Sequence, residues 1–216
     1  PRMSGRGRLL ASTPMPLDPQ ARAFLDMVAN MPPLDTRTVE ENRAQLAGVV
    51  PLTGTPAELA SVTDVTLPGP AGDVRVRVYR PGTEARLPVV AYFHGGGWML
   101  CDLETHDTTC RDIARHAGAV VVAVDYRRSP EHPFPAAYED CLAVTRALLD
   151  GSAGLGTDGA RVAVAVDRSA SGCARRSAAE RPGLQFPTRR GNAREESPVG
   201  STYLRATISR TRSEVT

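Results

Sequence analysis

Three short apolar runs, separated from one another by stretches of helical periodicity, constrain this chain more than any other feature. They lie at 88–93 (Pro-Val-Val-Ala-Tyr-Phe), 119–124 (Ala-Val-Val-Val-Ala-Val) and 161–166 (Arg-Val-Ala-Val-Ala-Val). A strand without a polar face is one covered on both sides. Between the first two runs, about 104–117 reads as a helix, with Cys110, Ile113 and Ala114 inward and Asp107, Arg111 and Arg115 outward. A second helix is predicted over 135–150. Strand, helix, strand, helix, strand predicts an α/β fold, a mostly parallel sheet with crossover helices. Ahead of it, Val74, Val76 and Val78 alternate with Arg75, Arg77 and Tyr79, the pattern of a strand with one wet face. Asp18 and Pro19 read as the N-cap and first position of a helix carrying Phe24, Leu25 and Val28 on one face. Another helical stretch, about 37–48, follows the Pro32-Pro33 break.

Composition narrows the class further. At 216 residues the chain suits one domain with a short appendage. No apolar run approaches the roughly 18 residues of a membrane span. Cys101, Cys110, Cys141 and Cys173 show neither CxxC pairing nor a zinc spacing, so reduced thiols and no metal are expected. The basic 1–14 segment has too short an apolar stretch for a signal peptide, and a cytoplasmic protein with a disordered leader is expected. Charge divides near residue 167: 16 Arg against 20 acids before it, 10 Arg against 4 acids after it. The basic segment has only Phe186 and Tyr203 as aromatics and no nucleic-acid-binding pattern, so no nucleic-acid partner is expected.

The most specific motif is His94-Gly95-Gly96-Gly97-Trp98, directly after the first buried run. Three glycines let the backbone approach a ligand and turn several amides toward one point. Such amides stabilise an oxyanion that develops on an attacked ester carbonyl. A plain turn and a phosphate cradle are the alternatives, and the spacing of known phosphate loops is absent.

Together with other stretches, this motif resembles the hormone-sensitive-lipase branch of the α/β-hydrolase family, the bacterial carboxylesterases. Asp125-Tyr126-Arg127 and the 130–137 stretch Pro-Glu-His-Pro-Phe-Pro-Ala-Ala match the family segment after the next strand, with Arg128-Ser129 where the family usually has Leu-Ala. The resemblance spans about 15–167. It implies an incomplete α/β-hydrolase fold over 15–172, with helices at about 18–50 forming part of a cap over an acyl pocket. It also implies acyl transfer on a small-molecule ester, without a cofactor. Gly95, Gly96 and Gly97 would form the oxyanion hole, supported by His94 and Trp98. From the residues themselves, Asp125 is expected to pair with Arg127 or Arg128, and His106, His116 and His132 to be surface or structural histidines.

The nucleophile segment departs from the family. A serine esterase of this fold places its serine on a sharp turn in a G-x-S-x-G setting. Here the sequence is Val166-Asp167-Arg168-Ser169-Ala170-Ser171-Gly172, with one residue inserted and valine in place of the first glycine. Ser169 is the nominal nucleophile, or else an ordinary serine in a disturbed loop. All four histidines precede it and no aspartate follows it, so no triad acid and base in the fold's usual order is present. Beyond Gly172 no hydrophobic period survives. A shifted reading frame near 166–172, an inactive chain and a disordered, protease-sensitive tail over 173–216 are therefore expected. A non-catalytic protein binding a small ester or acyl group is the competing reading. Oligomeric state is left open.

Overall fold

Pro19 opens the first helix because its fixed φ suits a first turn and it needs no hydrogen-bond acceptor there. The carboxylate of Asp18 accepts from the Gln20 amide at 2.8 Å and lies 3.4 Å from the Ala21 amide, as an N-cap should. This helix, α1 (Pro19–Ala29), leaves Phe24, Leu25 and Met27 exposed. The computed structural model describes residues 17–29 and 31–167. They fall into two compact units, divided between Thr38 and Val39. The first contains α1 and a single 3-10 turn, Leu34–Thr36.

The second unit begins with α2 (Val39–Val49) and continues through β1 (Ser61–Leu67), β2 (Val74–Arg80), β3 (Val89–Phe93), α3 (Asp107–Ala117), β4 (Val120–Val124), α4 (Ala136–Asp150) and β5 (Val162–Val166). The sheet order is β1-β2-β4-β3-β5. β3 runs parallel to both β4 and β5, with Ala91 opposite Val122 on one side and Val164 on the other. β1 and β2 are antiparallel additions, so the sheet is mixed and the predicted parallel core is present.

The chain steps from β3 to β4 in one direction and returns past β3 to β5 in the other. Right-handed crossovers then require α3 and α4 to cover opposite faces. The packing agrees. Cys141, Val144 and Leu148 of α4 meet Val89, Ala91, Phe93, Val120, Val122 and Val124. Cys110 and Ala114 of α3 meet Val90, Tyr92, Val121 and Ala123 on the other side. Every residue of β3 and β4 is buried, which explains their unbroken apolar sequences. β5 is buried only at Val162 and Ala165, and among the described residues it has β3 alone as a neighbour. A reversal of strand order opens a crevice beyond the carboxyl ends of the strands. The segment after β3 and Asp167 after β5 both lie at that end.

One expectation for β2 changes. Arg75 is exposed as expected, but Tyr79 is fully buried and its hydroxyl donates to Asp107 at 3.0 Å. The wet face therefore ends at Arg77, because α3 covers the far end of the strand. Arg77 is ringed by acids: Asp64 directly across the strand pair at 2.6 Å, Glu104 at 2.7 Å and Asp107 at 3.6 Å. The Arg77 hydrogen bond, reinforced by Arg75, holds the Asp64 carboxyl down at about 2. A carboxyl depressed in the folded state stabilises the fold above its unfolded value, and this contribution is lost as pH falls toward the folded value. Stability should therefore decline between about pH 4 and pH 2, and Asp64→Asn should flatten that decline in an acid titration followed by circular dichroism.

Candidate functional site

Two segments meet at the carboxyl end of the sheet: the loop following β3 and the end of β5. The Asp167 amide donates to Phe93 O at 3.2 Å, extending the β3–β5 ladder one residue beyond the strands. That register sets the Asp167 side chain against Gly95. A β-carbon built on Gly95 would lie 2.5 Å from Asp167 Oδ2, closer than van der Waals contact allows. A side chain at 95 would therefore have to push the Asp167 carboxylate aside, and Ser169 follows two residues after Asp167 in the chain.

The rest of the loop is left-handed for most of its length. Gly96 and Gly97 have φ of 104° and 63°, and the non-glycine residues Trp98 and Cys101 have 67° and 61°. Gly96 O accepts from the amides of Met99 at 3.2 Å and Leu100 at 2.9 Å, which closes the turn. Among the described residues, no backbone carbonyl accepts from the amides of Gly95 or Gly97. Donors uncommitted to the fold are what a site for a developing negative charge requires.

His94 lies beneath the loop and is 2% exposed. Its ring stacks on Tyr126 at 4.2 Å and 15°. Nδ1 is 2.8 Å from Gly95 O, a carbonyl that can only accept, so Nδ1 carries the proton. The Tyr126 hydroxyl donates to His94 O at 2.8 Å. Burial lowers the His94 imidazole to about 4, so it is neutral near pH 7 and serves to shape the loop. An imidazole lowered from 6.5 leaves the unfolded chain taking up the proton first, so stability falls as pH drops from about 6.5 to about 4. The ring resonances of His94 should accordingly stay constant above pH 5 in an NMR titration, and an inflection near 6.5 would contradict this.

His106 belongs to this site as well. Its ring is centred 5.7 Å from that of His94, Nδ1 lies 3.1 Å from Thr105 Oγ1, and Nε2 lies 3.5 Å from Asp167 Oδ2. The expectation of a surface or structural role leaves out this placement, and only the packing of α3 against β3 reveals it. His116 bonds to Asp112 O within α3, and the His132 amide closes a turn onto Arg128 O.

The segment after β4 supports the loop from the side. Asp140 of α4, 1% exposed, holds Arg127 through Nε at 2.9 Å and Nη2 at 2.8 Å, and accepts from the Arg127 amide at 3.0 Å. Asp125 instead lies 3.6 Å from Arg75, a correction to the expected Arg127 partner; Arg128 still acts on Asp125 by charge. The Ser129 amide donates to Trp98 O at 2.9 Å, tying this segment to the glycine loop. Ser169 and the 1–14 and 173–216 segments, expected to be a disordered leader and tail, lie outside the described residues. Among the described residues, no His, Cys, Asp and Glu cluster suits a metal ion, and no helix is long and apolar enough to cross a membrane.

A mixed sheet whose parallel core carries helices on both faces, a glycine loop after one central strand and an adjoining strand end together define an α/β hydrolase. Residues 90–170 match the family model described as the α/β hydrolase fold. The chain is 51% identical over 109 residues to Esterase LipI of Mycobacterium tuberculosis, covering 49% of this chain and 34% of that protein. It is 34% identical over 166 residues to an ethyl acetate hydrolase of Pseudomonas putida, covering 71% of this chain and 52% of that one. A hyperthermophilic esterase from the archaeon Pyrobaculum calidifontis superposes with a TM-score of 0.70 at 40% identity, over 76% of this chain and 54% of that chain. The chain belongs to the carboxylesterase family of α/β hydrolases. It spans between about a third and a half of the length of these relatives.

Proposed function

We propose that this chain carries the oxyanion side of a carboxylic-ester hydrolase acting by acyl transfer on small-molecule esters. The observation that carries this reading is the contact between Gly95 and Asp167, which brings the glycine loop against the strand end that leads into Ser169. In this reading Ser169 is the nucleophile, and the amides of Gly95, Gly96 and Gly97 receive the oxyanion of the tetrahedral intermediate. His94 and Trp98 keep the loop in shape. No metal or cofactor is needed, since a serine, a base and amide donors suffice for acyl transfer. An ester substrate accords with the ethyl acetate hydrolase and the esterases among the relatives.

The base is the missing part. No histidine and no aspartate follows Ser169 within the 216 residues, which favours binding without turnover by this chain alone. A serine hydroxyl that cannot pass its proton to a base is a weak nucleophile. The expected result is hydrolysis of a short p-nitrophenyl ester at the same rate by the 216-residue chain and by Ser169→Ala. Turnover above background that Ser169→Ala abolishes would show that another residue acts as the base.

A further inference from the structure

A loop with left-handed φ at Trp98 and Cys101 persists only where its surroundings determine it. One side chain reaches it from well outside the matched motif. Arg43 of α2 donates through Nε to Met99 O at 2.8 Å and through Nη2 to Ser129 O at 2.9 Å. The same guanidinium grips Glu131 through Nη1 at 2.5 Å and Nη2 at 2.9 Å. Met99 lies between the two left-handed non-glycine residues, and the Ser129 amide holds the carbonyl of Trp98. A single planar fork therefore joins α2, the glycine loop and the turn at 129–131. Arg128 adds a second donor, to Cys101 O. A lysine cannot reproduce this, because the fork supplies donors to several acceptors at fixed angles. The Arg43 hydrogen bond holds the Glu131 carboxyl down at about 2, so the pair remains ionised through ordinary pH.

The geometry points to Arg43 as the positioning residue of the glycine loop, a strap that keeps residues 96–101 in the form that presents the loop amides to an ester oxygen. The function of the strap rests on the ester-hydrolase reading; its existence does not. Hydrogen exchange at single amides tests it in the 216-residue chain. In Arg43→Met, the amides of Met99, Leu100 and Ser129 should exchange about tenfold faster, while Val90 and Val121 in the sheet keep their rates. Arg43→Lys retains the charge and should restore only part of the protection, and it serves if Arg43→Met does not fold. Alongside, a short alkyl phosphonate, carrying a tetrahedral anionic oxygen, should shift the Gly95 and Gly97 amides of the wild-type chain, with about tenfold weaker affinity in Arg43→Met. If the phosphonate shifts no loop amide in the wild type, the oxyanion reading fails, and exchange alone decides the strap. Loop amides that exchange at wild-type rates in both variants, or that accelerate no more than those of β3 and β4, would overturn the proposal.

Discussion

Gly96→Ala should destabilise the chain by about 3 kcal/mol, while Gly97→Ala costs only about 1–2 kcal/mol. Both residues are left-handed, with φ of 104° and 63°. They differ in what a β-carbon would meet. At Gly97 nothing lies within 4 Å, so alanine incurs only the backbone cost. At Gly96 the new carbon would lie 2.3 Å from the carbonyl oxygen of Leu100. That oxygen is main chain and cannot rotate away, so the turn closed by the Met99 and Leu100 amides must open. Urea denaturation of the two variants measures the difference. Equal losses would mean that the loop can shift without breaking its turn.

Asp140→Ala should cost about 3 kcal/mol, the scale expected when one partner of a buried ion pair is removed. Asp140 is 1% exposed and accepts from both the guanidinium and the amide of Arg127. Without it, Arg127 keeps Glu139 at 3.7 Å as its acidic neighbour, too far to replace a hydrogen-bonded fork. The double substitution Asp140→Leu with Arg127→Met should be less damaging than Asp140→Ala, because no guanidinium is left without its buried carboxylate partner. Denaturation midpoints of the three variants give the order. A double variant at least as unstable as Asp140→Ala would show that the pair contributes through attraction and not through avoided desolvation.

β3 and β4 are covered so completely that their composition alone announces them, while β2, β5, α3 and α4, only partly buried, are legible through the spacing of their apolar residues. β1 leaves no clear pattern, because Ser61–Leu67 mixes Thr and Asp into a partly exposed edge strand and its apolar signal is diluted. Tyr79 looked like part of a wet face, since periodicity cannot show that α3 covers the end of β2. The glycine loop was legible as a motif, but its supports were not. Asp167 meets Gly95 from 72 positions along the chain and Arg43 meets Met99 from 56, and such contacts leave no local pattern. Of the sequence neighbours expected to pair with Asp125, Arg128 acts on it by charge, and the sheet adds Arg75 from an adjacent strand, which no local pattern announces.

If the amides of the glycine loop receive the oxyanion of an ester-derived ligand, they should be the groups that bind a tetrahedral anionic mimic of it. Titrating isotope-labelled 216-residue chain with a short alkyl phosphonate, and following each backbone amide by NMR, tests this most directly. Saturable shifts centred on Gly95, Gly96 and Gly97, reduced in Gly96→Ala, are the result the geometry predicts. Saturable shifts elsewhere in the sheet with the three glycine amides unmoved would contradict it.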